Sequence, residues 1–292
     1  MAVLIRNLSE DGGIIVNAID STDIVQKMEQ LHRPSAVCTA ALGRLLTAAC
    51  LMSAQLKNKA DSLTLRIKGD GPACGLLAKA DGAGHVKGYL EEPLADLPPR
   101  ADGKLNVGGV VGHTGTLTVI KDLGLKEPYV GQIALTSGEI AEDITAYYAV
   151  SEQISTVCAL GVLVDKDLSV LKAGGYLLQL MPGATEEEIT RLEKNVAEMK
   201  SVTSLLSAGA RAQDIASLVL KSFQAQILDT THYDYHCGCS EEYMRRALLS
   251  LGKKELEALR DEEDELEICC QFCGKKYHMR ASDILLESDI EK

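Results

Sequence analysis

The 292-residue chain is predicted to be an α+β protein: an N-terminal domain of mixed sheet and helix, a helical linker and a small C-terminal domain. Three observations carry that prediction. Apolar alternation punctuated by glycine fills residues 62–180 with no regular βαβ order. A strand-free amphipathic stretch begins at Thr185, after the break "MPGAT". Five of the nine cysteines follow Thr231. The expected boundaries are 1–182, 183–230 and 231–292.

In chain order, residues 2–19 alternate as a strand pair turned by "SEDGG". A first helix follows, capped by Ser21 or Thr22, with Ile24, Val25, Met28 and Leu31 on one face. Pro34 suits the first turn of a second, alanine-rich helix running to about Lys57. "LTLRIKG", "GYLEEP", "GTLTVIKD", "YVGQIALTS" and "GYLLQLMPG" read as strands, interrupted by helices near Glu139–Tyr148 and Ser151–Val164. Thr185 and Glu188 form a capping box, and Ile189, Leu192, Val196 and Met199 give the helix it starts an apolar stripe. A second amphipathic helix is expected from about Ala212, with Ile215, Leu218, Val219 and Phe223.

With 46% hydrophobic and 25% charged residues the chain has the composition of a soluble globular protein. The net charge of −12 disfavours a phosphate backbone as partner. The run "AVCTAALGRLLTAACLMSAQL" carries Arg44 near its middle, so it reads as a buried helix and not a membrane span. "MAVLIRNLSEDGG" is not a secretory signal, because Arg6, Glu10 and Asp11 interrupt its apolar run. A cytoplasmic location is therefore expected, where thiols stay reduced and cysteines serve metal or redox chemistry. Neither G-x-S-x-G nor H-E-x-x-H occurs, and "GDGPACG" and "GGVVGHTG" read as turns, so no enzyme is expected.

The last 62 residues hold "HCGCS" and "CCQFCG" on either side of a highly charged helical stretch. Such a module buries little apolar area and needs a staple, which in a reducing compartment is zinc held by four thiolates. Cys237 and Cys239, at i and i+2, leave an extended segment on the same side. Cys270 and Cys273 have the C-x-x-C spacing of a metal-binding turn, and Gly274 frees the backbone after it. These four are assigned to one closed Zn(2+) site per chain. Cys269 points the other way and stands outside it. His232, His236 or His278 can replace one thiolate in a Cys₃His alternative. Cys38, Cys50, Cys74 and Cys158, in apolar surroundings, read as inert core thiols.

C-x-C, a helix, then C-x-x-C near the C-terminus resembles the 33 kDa chaperonin family, the redox-regulated heat-shock holdase of bacteria. "CGCSEEYMRRALLSLGKKEL" and "CQFCGKKY" look like the two halves of its zinc site. "RPSAVCTAALGRLLTAACLMS", "LTLRIKGDGP", "GYLEEP" and "AGGYLLQLMPGAT" look like its N-terminal domain, so the resemblance covers essentially the whole chain. It implies an α+β domain, a helical linker and a C-terminal zinc-binding domain in which Cys237, Cys239, Cys270 and Cys273 are both zinc ligands and redox switch.

On that resemblance the reduced, zinc-bound form is inactive. Oxidation is expected to join the nearest neighbours, Cys237 with Cys239 and Cys270 with Cys273, and to release the metal. The stripe Ile189-Leu192-Val196-Met199 then becomes available to unfolded or damaged client proteins, with a homodimer on activation and neither nucleic acid nor membrane as partner. The stripe reads equally as a helix packed permanently on its own domain. Two rivals remain on the residues alone: a zinc-ribbon nucleic-acid-binding protein, opposed by "DEEDELE", and a thiol-disulfide oxidoreductase, opposed by the lack of a thioredoxin-like βαβ context around C-x-x-C.

Overall fold

The computed structural model describes residues 1–290, and side chains up to Leu286. Two compact units emerge, Met1–His236 and the remainder from Cys237.

The first unit is built on one ten-stranded sheet. Its strands are β1 (Ala2–Ser9), β2 (Ile14–Asp20), β3 (Ser62–Gly69), β4 (Gly75–Asp81), β5 (His85–Leu90), β6 (Gly115–Asp122), β7 (Tyr129–Ala134), β8 (Thr156–Val164), β9 (Val170–Leu180) and β10 (Ala225–Tyr235). Their spatial order is β7-β6-β3-β4-β5-β10-β1-β2-β9-β8. Every pairing is antiparallel except a short parallel seam, Asp234 with His85 and Tyr235 with Val86, which joins β10 to β5.

Alternation along the strands fills two cores on opposite faces. Leu4, Ile19, Ala173 and Leu177 face α1 (Thr22–His32) and α2 (Ala36–Ser53) in the larger core. Their neighbours Ile14, Val16, Ala18, Tyr176 and Leu178 face a smaller core on the other side. That core is closed by α5 (Glu186–Ala197), α6 (Val202–Ser207) and α7 (Ala212–Val219). Short helices α3 (Val107–Val111) and α4 (Ala141–Tyr147) complete this unit.

The helix α2 is long and apolar enough to cross a membrane by length and composition, yet 89% of it is buried inside the fold. Several of its polar groups are paired inside the fold. Ser35 caps its N-terminus by accepting from Cys38 N, and Arg44 pairs with Glu139 at 2.6 Å. Thr47 Oγ1 lies 2.7 Å from Ser21 Oγ. Gly43 is dictated by packing, since a Cβ there would sit 2.7 Å from Val25 Cγ1 and 2.9 Å from Val162 Cγ2.

Three sequence expectations need correction. Residues 151–164 are not a helix: a π-helical turn spans Tyr148–Glu152, and 156–164 form β8, paired with β9. The run "TVCALGVLV" has no polar residue after Thr156, so it carries no period to separate helix from strand, and its partner decided. The stretch after Thr185 holds three helices and the first half of β10, where two helices without strands were expected. Cys74 is exposed, at φ 60° in the tight turn before β4, whereas Cys38 and Cys50 are buried and Cys158 is partly buried.

The second unit contains α8 (Glu241–Leu249), α9 (Lys253–Glu262), the hairpin β11 (Glu265–Cys269) with β12 (Lys276–Arg280), and α10 (Ala281–Ile290). Its core is small: Met244, Leu256, Tyr277, Met279, Ile284 and Leu285 surround Cys270.

Candidate metal centre

Four sulfurs converge at the turn end of the β11–β12 hairpin. Cys237 and Cys239 precede α8, which Ser240 caps by accepting from Tyr243 N. Cys270 and Cys273 lie in the hairpin turn. There Gly274 N donates to Cys270 O at 2.8 Å and Cys270 N to Lys275 O at 2.9 Å. Gly274 adopts φ 71°, a left-handed conformation that closes the turn and favours glycine.

The Sγ atoms of Cys237, Cys239, Cys270 and Cys273 all lie within 4.8 Å of one another. The tightest approaches run across the site, 3.6 Å between Cys237 and Cys270 and 3.4 Å between Cys239 and Cys273. A tetrahedral site with metal–sulfur bonds of about 2.3 Å sets sulfurs roughly 3.8 Å apart, so the four thiols fit such an ion. Cys270 is buried and the other three are partly exposed.

Tyr277 Oη donates to Cys239 Sγ at 3.1 Å. Burial raises the Cys239 thiol, but this donation and the neighbouring thiols outweigh it and bring the group down to about 7. Cys237 is pushed up to about 12, by burial first and then by its thiol neighbours. Burial also leads the rise at Cys273. Cys239 therefore deprotonates before Cys237 and Cys273.

Cys269 is exposed at the end of β11, opposite Lys276, and stands outside the sulfur group. Among the described residues no histidine joins that group. His278 lies 3.8 Å from Glu267 on the exposed face of β12, His236 stacks at 4.6 Å on His85, and His232 sits exposed on β10. Tyr277 is the residue the sequence did not single out. Its place two positions after "GK" in "CGKKY" gives no sign that its hydroxyl reaches a sulfur 38 residues earlier.

The stripe expected to meet clients lies on the sheet of the first unit. Leu192 is 4% exposed in the smaller core, with Val196 and Met199 packed against it and Ile189 half-buried. Polar residues share this buried face: Glu188 holds the predicted capping box with Thr185, and Asn195 is 2% exposed. Asn195 Nδ2 donates to Val219 O at 2.9 Å, tying α5 to the end of α7.

The family model of the Hsp33 protein matches residues 3–280. A 33 kDa chaperonin of Agathobacter rectalis is 45% identical over 281 residues, covering 96% of this chain and 97% of that protein. That of Clostridioides difficile is 45% identical over 284 residues, with 97% of each covered. The crystal structure of the 33 kDa chaperonin (heat shock protein 33 homolog) of Thermotoga maritima superposes with a TM-score of 0.89 at 33% identity, covering 99% of both chains. The chain belongs to the Hsp33 family.

Proposed function

We propose that this protein is a redox-regulated holdase chaperone, inactive when reduced and zinc-bound, active when oxidised. The observation that carries this reading is the convergence of Cys237, Cys239, Cys270 and Cys273 within 4.8 Å, in a member of a family whose relatives are named chaperonins. An all-sulfur tetrahedral set suits one Zn(2+) per chain. When bound, that ion supplies a closed cross-link of order 10–16 kcal/mol to a unit whose apolar core is small.

The chain's own residues carry the switch. A peroxide oxidises one thiolate to sulfenic acid, and the thiolate of its sequence neighbour displaces hydroxide to form the disulfide. Each disulfide takes two electrons from sulfur and reduces one hydrogen peroxide to two waters. The expected bonds are Cys237–Cys239 and Cys270–Cys273, whose formation leaves no thiolate to hold the metal. Cys269 takes no part in metal binding.

The working division we propose is residues 1–182 as platform, 183–230 as the releasable segment and 231–292 as the redox module. Release frees the stripe Ile189-Leu192-Val196-Met199 for unfolded polypeptides in the cytoplasm, with activated chains pairing as homodimers. The test compares the zinc-loaded reduced chain with the peroxide-treated chain in suppressing aggregation of an unfolded client. Suppression confined to the oxidised form is expected; equal suppression by both forms removes the switch.

A further inference from the structure

Tyr277 reaches the sulfur group from inside the hairpin. It pairs with Ile268 across β11 and β12 and shares the buried face of β12 with Met279. The residue is 6% exposed, and Lys275 Nζ covers its ring 4.9 Å from the centroid. Those contacts fix the ring and aim the hydroxyl. Its hydrogen-bond partner among the described residues is Cys239 Sγ, at 3.1 Å.

The donors on the other sulfurs are of a different kind. Cys237 Sγ accepts from the backbone N–H of Cys239, and Cys273 Sγ from that of Lys275. Backbone donors come with the turns themselves. The hydroxyl on Cys239 comes from one side chain, which a substitution can remove while the turns stay.

Oxidation of a sulfur begins with its lone pair. That pair attacks one oxygen of the peroxide, the S–O bond forms and the O–O bond breaks. Hydroxide leaves with the electron pair and takes a proton from water; sulfur loses two electrons and the peroxide gains them. A hydrogen bond already drawn on the lone pair must weaken in this step, so the donor slows it. The oxidised sulfur is also a poorer acceptor, which strands a buried phenol hydroxyl.

We propose that Tyr277 is a positioning residue of the redox site, its hydroxyl restraining peroxide attack at Cys239. The inference rests on the redox reading of the four cysteines and names a residue that sets their response. A donor on a charged acceptor changes its basicity by about one to two powers of ten, and roughly half of that, on a logarithmic scale, appears in nucleophilicity. Removing the hydroxyl therefore speeds attack at Cys239 about 3- to 10-fold.

The experiment treats the full-length, zinc-loaded reduced chain and Tyr277→Phe with hydrogen peroxide in the presence of dimedone. Mass spectrometry reads the sulfenic acid adduct at each cysteine, and a chromophoric chelator reads zinc release. Phenylalanine keeps the ring and its packing, so zinc content before peroxide should match the wild type. The Cys239 adduct should form about 3- to 10-fold faster in the variant, with Cys270 and Cys273 at wild-type rates. Met279→Leu, which disturbs the same buried face without removing a hydroxyl, should leave Cys239 at the wild-type rate. An unchanged or slower Cys239 rate in Tyr277→Phe overturns the proposal. So do equal acceleration at all four sulfurs, the same acceleration in Met279→Leu, or loss of zinc before peroxide is added. Retention of zinc by both oxidised chains would instead defeat the redox reading, while the Cys239 adduct rates still decide the role of Tyr277.

Discussion

Asn195→Ala is expected to loosen the α5–α7 layer without touching the sulfur site. Asn195 is 2% exposed, and its Nδ2 donates at 2.9 Å to the carbonyl of Val219, a fully buried residue at the end of α7. Its Oδ1 accepts from Ser222 Oγ at 2.9 Å, but Ser222 is exposed and can turn to water. Only the Val219 carbonyl is therefore stranded. An unsatisfied buried acceptor costs about 1–3 kcal/mol, which raises the opening constant of the layer by roughly 5- to 150-fold. Hydrogen exchange of the reduced chain measures this directly: amides of α5 and α7 should exchange faster by that factor, while those of β3 and β6 stay at wild-type rates. Lys194→Ala, one residue away on the exposed face, is the control. If α5 exchanges at the wild-type rate in Asn195→Ala, the bond to Val219 does not hold the layer.

Three further outcomes are expected. Cys269→Ser should retain one zinc per chain and Cys270→Ser should lose it, measured by elemental analysis of the purified chains; loss in Cys269→Ser would refute the assignment. Gly274→Ala should weaken zinc binding about 5- to 30-fold in competition with a chromophoric chelator. At φ 71° a Cβ meets nothing within 4 Å, so the whole cost is the left-handed backbone, about 1–2 kcal/mol. Cys158, pushed up to about 12 by burial, should be alkylated by iodoacetamide at pH 8 about 1,000-fold more slowly in the native than in the unfolded chain. Because its thiol titrates higher when folded, its contribution to stability is intact below about 9 and declines as pH rises from there to about 12. Mass spectrometry within tenfold of the unfolded rate would show that Cys158 is open to solvent.

The sulfur site was legible because its information is local. Two cysteines separated by one residue, and two separated by two, converge through backbone turns a few residues long, and Gly274 marks one of those turns. The Thr185–Glu188 capping box was legible for the same reason, since both partners lie within one helical turn.

Segments whose state depends on a distant partner were not legible. The run 156–164 became a strand because β9 lies beside it, and Cys74 became exposed because its turn faces outward. The same holds for Tyr277, whose hydroxyl reaches Cys239 only once the hairpin folds toward Cys237–Gly238–Cys239. The sequence by itself determined the α+β class, the four-thiol set and the apolar stripe of α5, all properties of spacing within a turn or two. Only the tertiary structure decided that this stripe is buried on the sheet, that Asn195 pins it there and that β8 forms an uncharged edge. Those are outcomes of which surfaces meet, and pairings between residues far apart in sequence leave no local period to read.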